Sequence, residues 1–551
     1  MVTPLRWQAW DFHLAAHPDQ AFRRYVVEGI RQGFKVGFDY TRALRSAGDN
    51  MVSTRQMPHL IREYLADECA QGRVVGPLPR GMFPEVHVSR FGLIPKKVPG
   101  EWRLIVDLSA PAGRSVNDGV SESLCSLRYV TVGDALKLVA QLGPGTVLAK
   151  VDVKRAYRNV PLYPPDRLLF GMVWEDQLYV DTVLPFGLRS APKIFTAIAD
   201  AAEWVAREHS VHWILHYLDD FLILGPPGTE ICQVNVSRLL GIFEALGLPV
   251  ALSKLEGPAT SITFLGIEID TVAMEIRLPV DKLDRLKCLL ASWLARSSCT
   301  KTELESLIGS LSHAAVVVRA GKTFLRRLLE LLSGARRSHH FLRLNAVHKS
   351  DLWWWAVYLR PLNHGSFFRG VSCRPVQFSF FSDASGSVGC GAIWSPHWFQ
   401  VKWSESVAWP ELQEDSITFK ELLPIVWAVA VWGALWRHGS VVVYCDNEGA
   451  VAAVNSGYSK VPRIMHLLRC LFFIRARFDI ELVGSHVPGV SNPLADAISR
   501  DQLRVLFSQV PQAPAHRWAV LNPVLSLTLD QRADWTSLSW RESFSSCFPP
   551  A

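Results

Sequence analysis

The chain is 551 residues long, 49% hydrophobic and 20% charged, too long for one hydrophobic core, so about two to four globular domains are expected. Such a composition is that of a globular protein with no low-complexity tract, and ten singly scattered cysteines with no C-x-x-C pair give no sign of a zinc ribbon or a redox dithiol. Fifty-eight Lys and Arg against 51 Asp and Glu leave a net charge of +7, compatible with local binding of a polyanion but shared by many proteins that bind none.

The N-terminus, MVTPLRWQAWDFHLAAHPDQ, carries charges and prolines where a secretory leader needs an apolar run, so a cytoplasmic or nuclear protein with reduced thiols is expected. Residues 1–54 contain no assignable motif and read as an N-terminal extension. From 55 to 275, short β-branched runs alternate with helical patterns, among them Trp102–Leu108 (WRLIVDL), Val147–Val153 (VLAKVDV) and Leu222–Leu224. Residues 276–375 turn helical, with apolar residues at three-and-four spacing in DKLDRLKCLLASWLA and TELESLIGSLSHAAVVV. The arginine-rich stretch RRLLELLSGARRSHHFLR reads either as a solvated helix face or as a contact for a phosphate backbone. Strands resume in a second α/β segment, 376–502, which contains a Gly-rich hairpin (SGSVGCGAIW). It also contains the uncharged run Leu422–Trp436, 15 residues long. That run falls short of the roughly 20 residues a bilayer-spanning helix needs and reads as a buried core helix. Residues 503–551, rich in Pro, Ser and Trp, read as a tail.

Two acidic constellations carry the chemistry. In the first segment Asp152 ends the strand VLAKVD, and Asp219 and Asp220 sit in HYLDDFLIL. An Asp-Asp pair alone is most often a solvated turn. Flanked by apolar strands, it becomes the tip of a β-hairpin presenting two carboxylates, and a third facing them gives the hard oxygen set that magnesium prefers. The second segment carries Asp383 in FFSDASG, Glu421 in TFKELLP, Asp446 in VVYCDN and Asp496 in NPLADAISR, on a strand, a helix, a strand end and a helix start. Each alone reads as surface. Convergence of the four on two metals would suit attack of water on a phosphodiester.

The order of SRFGLIPKKVPGEWRLIVDLS, VDVKRAYRNVPL, LPFGLRSAP, HYLDD, SKLEG and FLG resembles the reverse transcriptases of retroelements. The resemblance implies an α+β right-hand polymerase of fingers, palm and helical thumb/connection, followed by an α/β ribonuclease H-like domain. It implies that Asp152, Asp219 and Asp220 bind magnesium, with the backbone carbonyl of Val153 assisting, and that Lys96 or Lys97 and Arg103 hold the triphosphate. Tyr157 matches the aromatic residue that excludes a ribose 2′-hydroxyl, Phe186 and Gly187 the turn under the nascent base pair, and Lys254 a lysine that protonates the leaving pyrophosphate. The order Asp383, Glu421, Asp446, Asp496, ending in HVPGVSNPLAD, resembles the ribonuclease H attached to such polymerases, with His486 as its loop histidine. Lys460 and Arg463 are the basic residues nearest to a hybrid grip there.

The implied activity is RNA- and DNA-directed DNA synthesis with degradation of the RNA of the hybrid. The implied cofactor is Mg2+, two ions per site, with Mn2+ as a substitute. Implied partners are RNA template, DNA primer, RNA–DNA hybrid and dNTPs, with an element's Gag-like protein and recombinase as further ones and no membrane. HVSRFGLIPKK, SVNDGV and RADWTSLSW are similar in wording to the DIRS/Ngaro tyrosine-recombinase retrotransposons. No zinc knuckle, Asp-Ser/Thr-Gly protease motif or integrase triad accompanies them, so a segment of a longer pol protein, or a truncated copy, is expected. A non-catalytic hybrid-binding relic would show substitution at Asp152, Asp219, Asp220 or Glu421, and a particle-assembly protein would show repeats or heptads. The sequence has neither.

Overall fold

The computed structural model describes residues 3–46, 48–95, 100, 102–335, 340–366, 376–405 and 414–510. The chain divides into two compact units, Met1–Leu265 and Gly266–Ala551.

The first unit opens with helices α1 (Trp7–His13) and α2 (Gln20–Gln32), capped by Asp19, whose carboxylate accepts from Ala21 and Phe22 backbone N–H. These belong to the region expected as an extension, yet Trp10 is fully buried and its indole N–H donates to the Leu246 carbonyl at 2.9 Å. Trp10, Val26, Ile30 and Phe34 share one apolar cluster with the central sheet. Short α3 (Val52–Gln56) and α4 (Pro58–Ala70) precede β1 (Val74–Pro79), and β2 (Phe91–Pro95) pairs with β3 (Trp102–Val106) in an antiparallel hairpin. A small cluster of Ile61, Leu65, Phe91, Leu93 and Leu104 holds this finger-like region.

After α5 (Val132–Leu142) comes β4 (Val147–Asp152), whose apolar run with Val147 and Val151 suits a buried strand. Strands β5 (Gly171–Trp174) and β6 (Gln177–Asp181) join β1 in a three-stranded sheet. Helix α6 (Ala191–Glu208), started by Pro192, buries Ile194, Phe195, Ile198, Ala202 and Val205 at helical spacing. Strands β7 (Ile214–Tyr217) and β8 (Asp220–Gly225), helix α7 (Ile231–Leu246) and strand β9 (Glu256–Ala259) complete a four-stranded sheet of order β7-β8-β4-β9, and β10 (Ser261–Phe264) comes after it. This is the palm.

The second unit begins with β11 (Ile267–Asp270), which pairs antiparallel with β12 (Glu275–Arg277). Strand β12 also pairs with β15 (Gly365–Ser366), beyond the helices, which ties 266–275 to the helical region, whereas the expected domain boundary lay at 275. Between β12 and β15 run α8 (Val280–Ala295), β13 (Ser298–Thr300), α9 (Lys301–Ala314), α10 (Arg326–Ser333), β14 (Phe341–Arg343) and α11 (Ala346–Tyr358).

The last sheet is mixed and five-stranded: β16 (Phe378–Ala384), β17 (Gly389–Trp394), β18 (His397–Lys402), β19 (Ser440–Cys445) and β20 (Glu481–His486), in the order β18-β17-β16-β19-β20. The first three form an antiparallel meander, and β16, β19 and β20 run parallel. Helix Ile417–Trp432 is buried from Phe419 to Ala430, as a core helix should be, and no helix among the described residues is long and apolar enough to cross a membrane. Helix Leu503–Gln509, at the start of the expected tail, packs Leu506 into a cluster with Ile393, Trp398, Ala495 and Ile498. The rest of the tail, 511–551, lies outside the described residues. The architecture is thus the expected α+β right-hand polymerase fold followed by a further α/β domain built on a five-stranded mixed sheet.

Candidate functional site

Register brings the first acidic set together. Asp152 pairs with Asp220 across β4 and β8, and Tyr217 pairs with Asp220 across the β7–β8 hairpin. Leu218, in the left-handed region at φ 52°, and Asp219 make its tight turn. The Val153 N–H donates to the Asp219 carbonyl at 2.9 Å, fixing the turn against the end of β4. Three carboxylates therefore crowd one edge of the sheet. Burial, with Asp219 and Asp152 adding to it, pushes the Asp220 carboxyl up to about 6. Burial and Asp152 also raise Asp219, against the pull of Lys254 and Arg103.

The cations near this edge answer that charge. Lys254 Nζ lies 3.1 and 3.2 Å from the two Asp152 oxygens, so Lys254 is a counter-ion of Asp152. Lys150 pairs with Glu256 at 2.5 Å and also eases the charge on Asp220. Arg103 projects from β3 and acts electrostatically on Asp219. Lys96 and Lys97, expected beside it, lie outside the described residues.

Tyr157 sits in the 3-10 turn Ala156–Asn159, entered through Arg155 at φ 55°. Its ring lies 5.3 Å from Phe186 and 5.7 Å edge-on from Phe195, and burial together with Asp219 pushes its hydroxyl up to about 12. Phe186 is 40% exposed and is followed by Gly187 at φ 91°, a conformation that costs a side chain energy. Sequence reading missed the brace beneath the hairpin. His216 stacks on Phe221 and contacts Glu203 at 2.7 Å and Asp200 at 3.4 Å, both on α6.

The second set gathers at the carboxyl ends of the parallel strands, where α/β sheets place their crevices. Asp383 lies near the end of β16, Asp446 directly follows β19, and His486 ends β20 with Nε2 3.1 Å from the Asp446 carbonyl oxygen. Glu421 reaches in from the first turns of helix Ile417–Trp432, and Asp496 from helix Pro493–Ser499. That last helix is seated by Asn492, whose Nδ2 donates to the Ser382 carbonyl at 3.0 Å, and by Gly391, where a Cβ would collide with Ile498.

Asp383 and Glu421 are 4% and 3% exposed, which makes their charge costly. Burial, Asp446 and Asp496 push Asp383 up to about 6, although the Ser499 hydroxyl donates to its Oδ2 and opposes the shift. Burial, Asp383 and Asp446 push Glu421 up to about 9. Asp496 is paired with Arg500 at 2.6 Å. Glu421, Cys445 and Asp446 each bring a ligand atom within 4.8 Å of the others. Of these, the Glu421 and Asp446 carboxylates are the hard oxygen donors that suit a divalent cation such as magnesium, and the Cys445 thiol is not.

Part of this surrounding was legible and part was not. Ser499 stands one helical turn after Asp496, and Cys445 immediately precedes Asp446. The contact of Ser499 with Asp383 spans 116 positions and left no trace in local spacing. Arg463, named for a hybrid grip, pairs with Asp415 at 2.9 Å and lies over the Phe419 ring.

Residues 94–269 match the family model for reverse transcriptase (RNA-dependent DNA polymerase). The chain is 25% identical over 264 residues to the Gag-Pro-Pol polyprotein of Mason-Pfizer monkey virus, covering 46% of this chain and 13% of that protein. It is 23% identical over 403 residues to the enzymatic polyprotein of figwort mosaic virus (68% of this chain, 54% of that protein). Against the Pol polyprotein from transposon gypsy of Drosophila melanogaster it is 23% identical over 415 residues (71% of this chain, 36% of that protein). It therefore spans well under two thirds of these relatives. Among solved structures, a foamy viral protease-reverse transcriptase in complex with RNA/DNA hybrid aligns with a TM-score of 0.47 and 17% identity, over 87% of this chain and 63% of that one. The first unit carries a reverse transcriptase domain of the kind found in retroviral and retroelement polyproteins.

Proposed function

We propose that the chain copies RNA, and the resulting DNA strand, into DNA at the Asp152–Asp219–Asp220 edge. We further propose that it removes the RNA of the hybrid at the Asp383–Glu421–Asp446–Asp496 crevice. One observation carries the first half: the register that sets Asp152 opposite Asp220, with Asp219 at the adjoining turn, inside a segment matching reverse transcriptases. The second half rests on four carboxylates from four elements meeting at one sheet end, two of them buried with raised pKa.

Asp152, Asp219, Asp220 and the Val153 carbonyl would hold magnesium in the first site, and the other four carboxylates in the second. Bound magnesium would lower the pKa of the attacking hydroxyl or water and offset charge on the leaving group. Lys96 or Lys97, with Arg103, binds the triphosphate, and the Tyr157 ring, resting on Phe186, meets the sugar where a 2′-hydroxyl would project. Lys254, released from Asp152, would protonate the leaving pyrophosphate. In the crevice, His486 hydrogen-bonds the Asp446 backbone and serves proton transfer or product release at the rim. Substrates are RNA template, DNA primer, hybrid and dNTPs. The phrases HVSRFGLIPKK, SVNDGV and HVPGVSNPLADAISR support membership of the DIRS/Ngaro group, with its Gag-like protein and recombinase as partners.

The test is separation of the two activities in one purified chain. Asp219→Asn with Asp220→Asn is expected to abolish synthesis and spare hybrid cleavage, and Asp446→Asn to do the reverse. Loss of both activities from either folded variant contradicts two independent sites.

A further inference from the structure

The segment Ser115–Val120 (SVNDGV) contributes to neither acidic cluster, yet it holds a polar side chain with a demanding position. Asn117 is 6% exposed, so its amide needs partners within the protein. It finds three. Nδ2 donates to Ser109 Oγ at 2.9 Å and to the Gly187 carbonyl at 2.9 Å, and Oδ1 accepts from the Arg189 N–H at 2.8 Å. Its own backbone N–H donates to the Leu108 carbonyl at 2.9 Å. Arg189 closes the same frame from the other side, with Nη1 donating to the Val120 carbonyl at 3.0 Å.

One amide thus clamps both ends of the Gly187–Arg189 turn from 70 positions away in the chain. The turn needs the clamp. Gly187 sits at φ 91°, and a Cβ there would approach the Val106 carbonyl oxygen to 3.1 Å. Glycine takes this conformation without strain, but its own backbone fixes it to none, so the turn is held in one geometry by hydrogen bonds from outside. Directly before Gly187 stands Phe186, and against Phe186 leans Tyr157 at 5.3 Å.

We infer that Asn117 is a positioning residue for nucleotide selection: by holding the Gly187 carbonyl and the Arg189 amide it fixes Phe186, and through Phe186 the depth at which the Tyr157 ring meets the incoming sugar. The inference rests on the polymerase reading of Tyr157 given above. The Asn117 side chain bonds to Ser109, Gly187 and Arg189 and to none of the three carboxylates, so its loss changes which sugar is accepted more than how fast an accepted one reacts.

Two variants separate the bonds. Asn117→Asp keeps the acceptor for Arg189 and lets the Ser109 hydroxyl turn round to donate, but sets a carboxylate oxygen against the Gly187 carbonyl. Asn117→Ala removes all three bonds. Two measurements apply to the full chain: amide hydrogen exchange of the peptide spanning Leu184–Phe195, and single-nucleotide kcat and KM with a dNTP and its matching rNTP. Faster exchange in this peptide is expected for both variants. The ratio of kcat/KM for dNTP over rNTP is expected to fall about tenfold, mainly through a lower KM for the rNTP. Equal losses for both sugars would make Asn117 merely structural and overturn its role in selection. Unchanged exchange in both variants would overturn the clamp itself, whatever the kinetics. A wild type that exchanges as expected but incorporates no nucleotide removes the polymerase reading, and the selection role with it, while leaving the clamp established.

Discussion

Removing the Glu421 carboxylate tests whether the second acidic cluster is built for a cation. Glu421 is 3% exposed and its carboxyl stands at about 9, raised from an ordinary 4.5 by burial and by Asp383 and Asp446. Between those values the folded, metal-free chain holds a proton that the unfolded chain has released. Metal-free stability should therefore fall as pH rises through that window, by up to ~1.4 kcal/mol per pH unit. Glu421→Gln carries no proton to lose and should flatten this slope. Binding a divalent cation requires the carboxylate, so at pH 7 roughly two pH units of proton release oppose binding, ~3 kcal/mol or about 100-fold in affinity relative to the fully ionised site. Thermal unfolding in EDTA and in saturating Mg2+ across about pH 6 to 9 reads the stability half. Calorimetric titration of Mg2+ in two buffers of different ionisation heat reads the proton released. An affinity independent of pH over this range, with no proton released, would refute the coupling of Glu421 to the cation.

Other perturbations bear on separate parts of the molecule. Ser499→Ala removes the hydroxyl that hydrogen-bonds ionised Asp383, so the Asp383 carboxyl should rise above about 6 and the acid limb of hybrid cleavage should move to higher pH. An unmoved pH–rate profile would deny Asp383 that part. Gly187→Ala forces a side chain into φ 91° against the Val106 carbonyl, at ~1–2 kcal/mol of backbone strain, and nucleotide incorporation should drop while hybrid cleavage is kept. Arg469→Met leaves Asp351, fully buried and 2.6 Å from the guanidinium, without its main counter-charge. Urea unfolding should show a loss of about 3–5 kcal/mol, and a loss below about 1 kcal/mol would mean Arg327, 3.5 Å away, suffices alone.

Sequence patterns reached furthest where chemistry and local periodicity coincide. The apolar–Asp–Asp–apolar spacing foretold a hairpin, and pairing of Tyr217 with Asp220 is what a two-residue turn through Leu218 and Asp219 produces. The uncharged run around Leu422 read as a core helix because it is too short for a membrane and apolar on every side, and it is buried accordingly. Contacts between distant residues were not legible. Trp10 reaches the Leu246 carbonyl across 236 positions, which is why helices with no motif look like an extension in sequence and lie within the palm core in the fold. Asn117 was visible only as part of a phrase, since nothing in SVNDGV indicates that its amide faces Gly187. Lys254 was identified by its motif, but its pairing with Asp152 depends on the strand order β8-β4-β9, which local spacing does not encode.

The most direct measurement is incorporation of dNTPs on an RNA template with a DNA primer and Mg2+, wild type beside Asp219→Asn/Asp220→Asn. Extension by the wild type, absent from the double variant, is the predicted result and would tie synthesis to the β7–β8 hairpin. No extension by wild-type protein that is folded and binds the primed template, or equal extension by both proteins, would contradict synthesis at this edge.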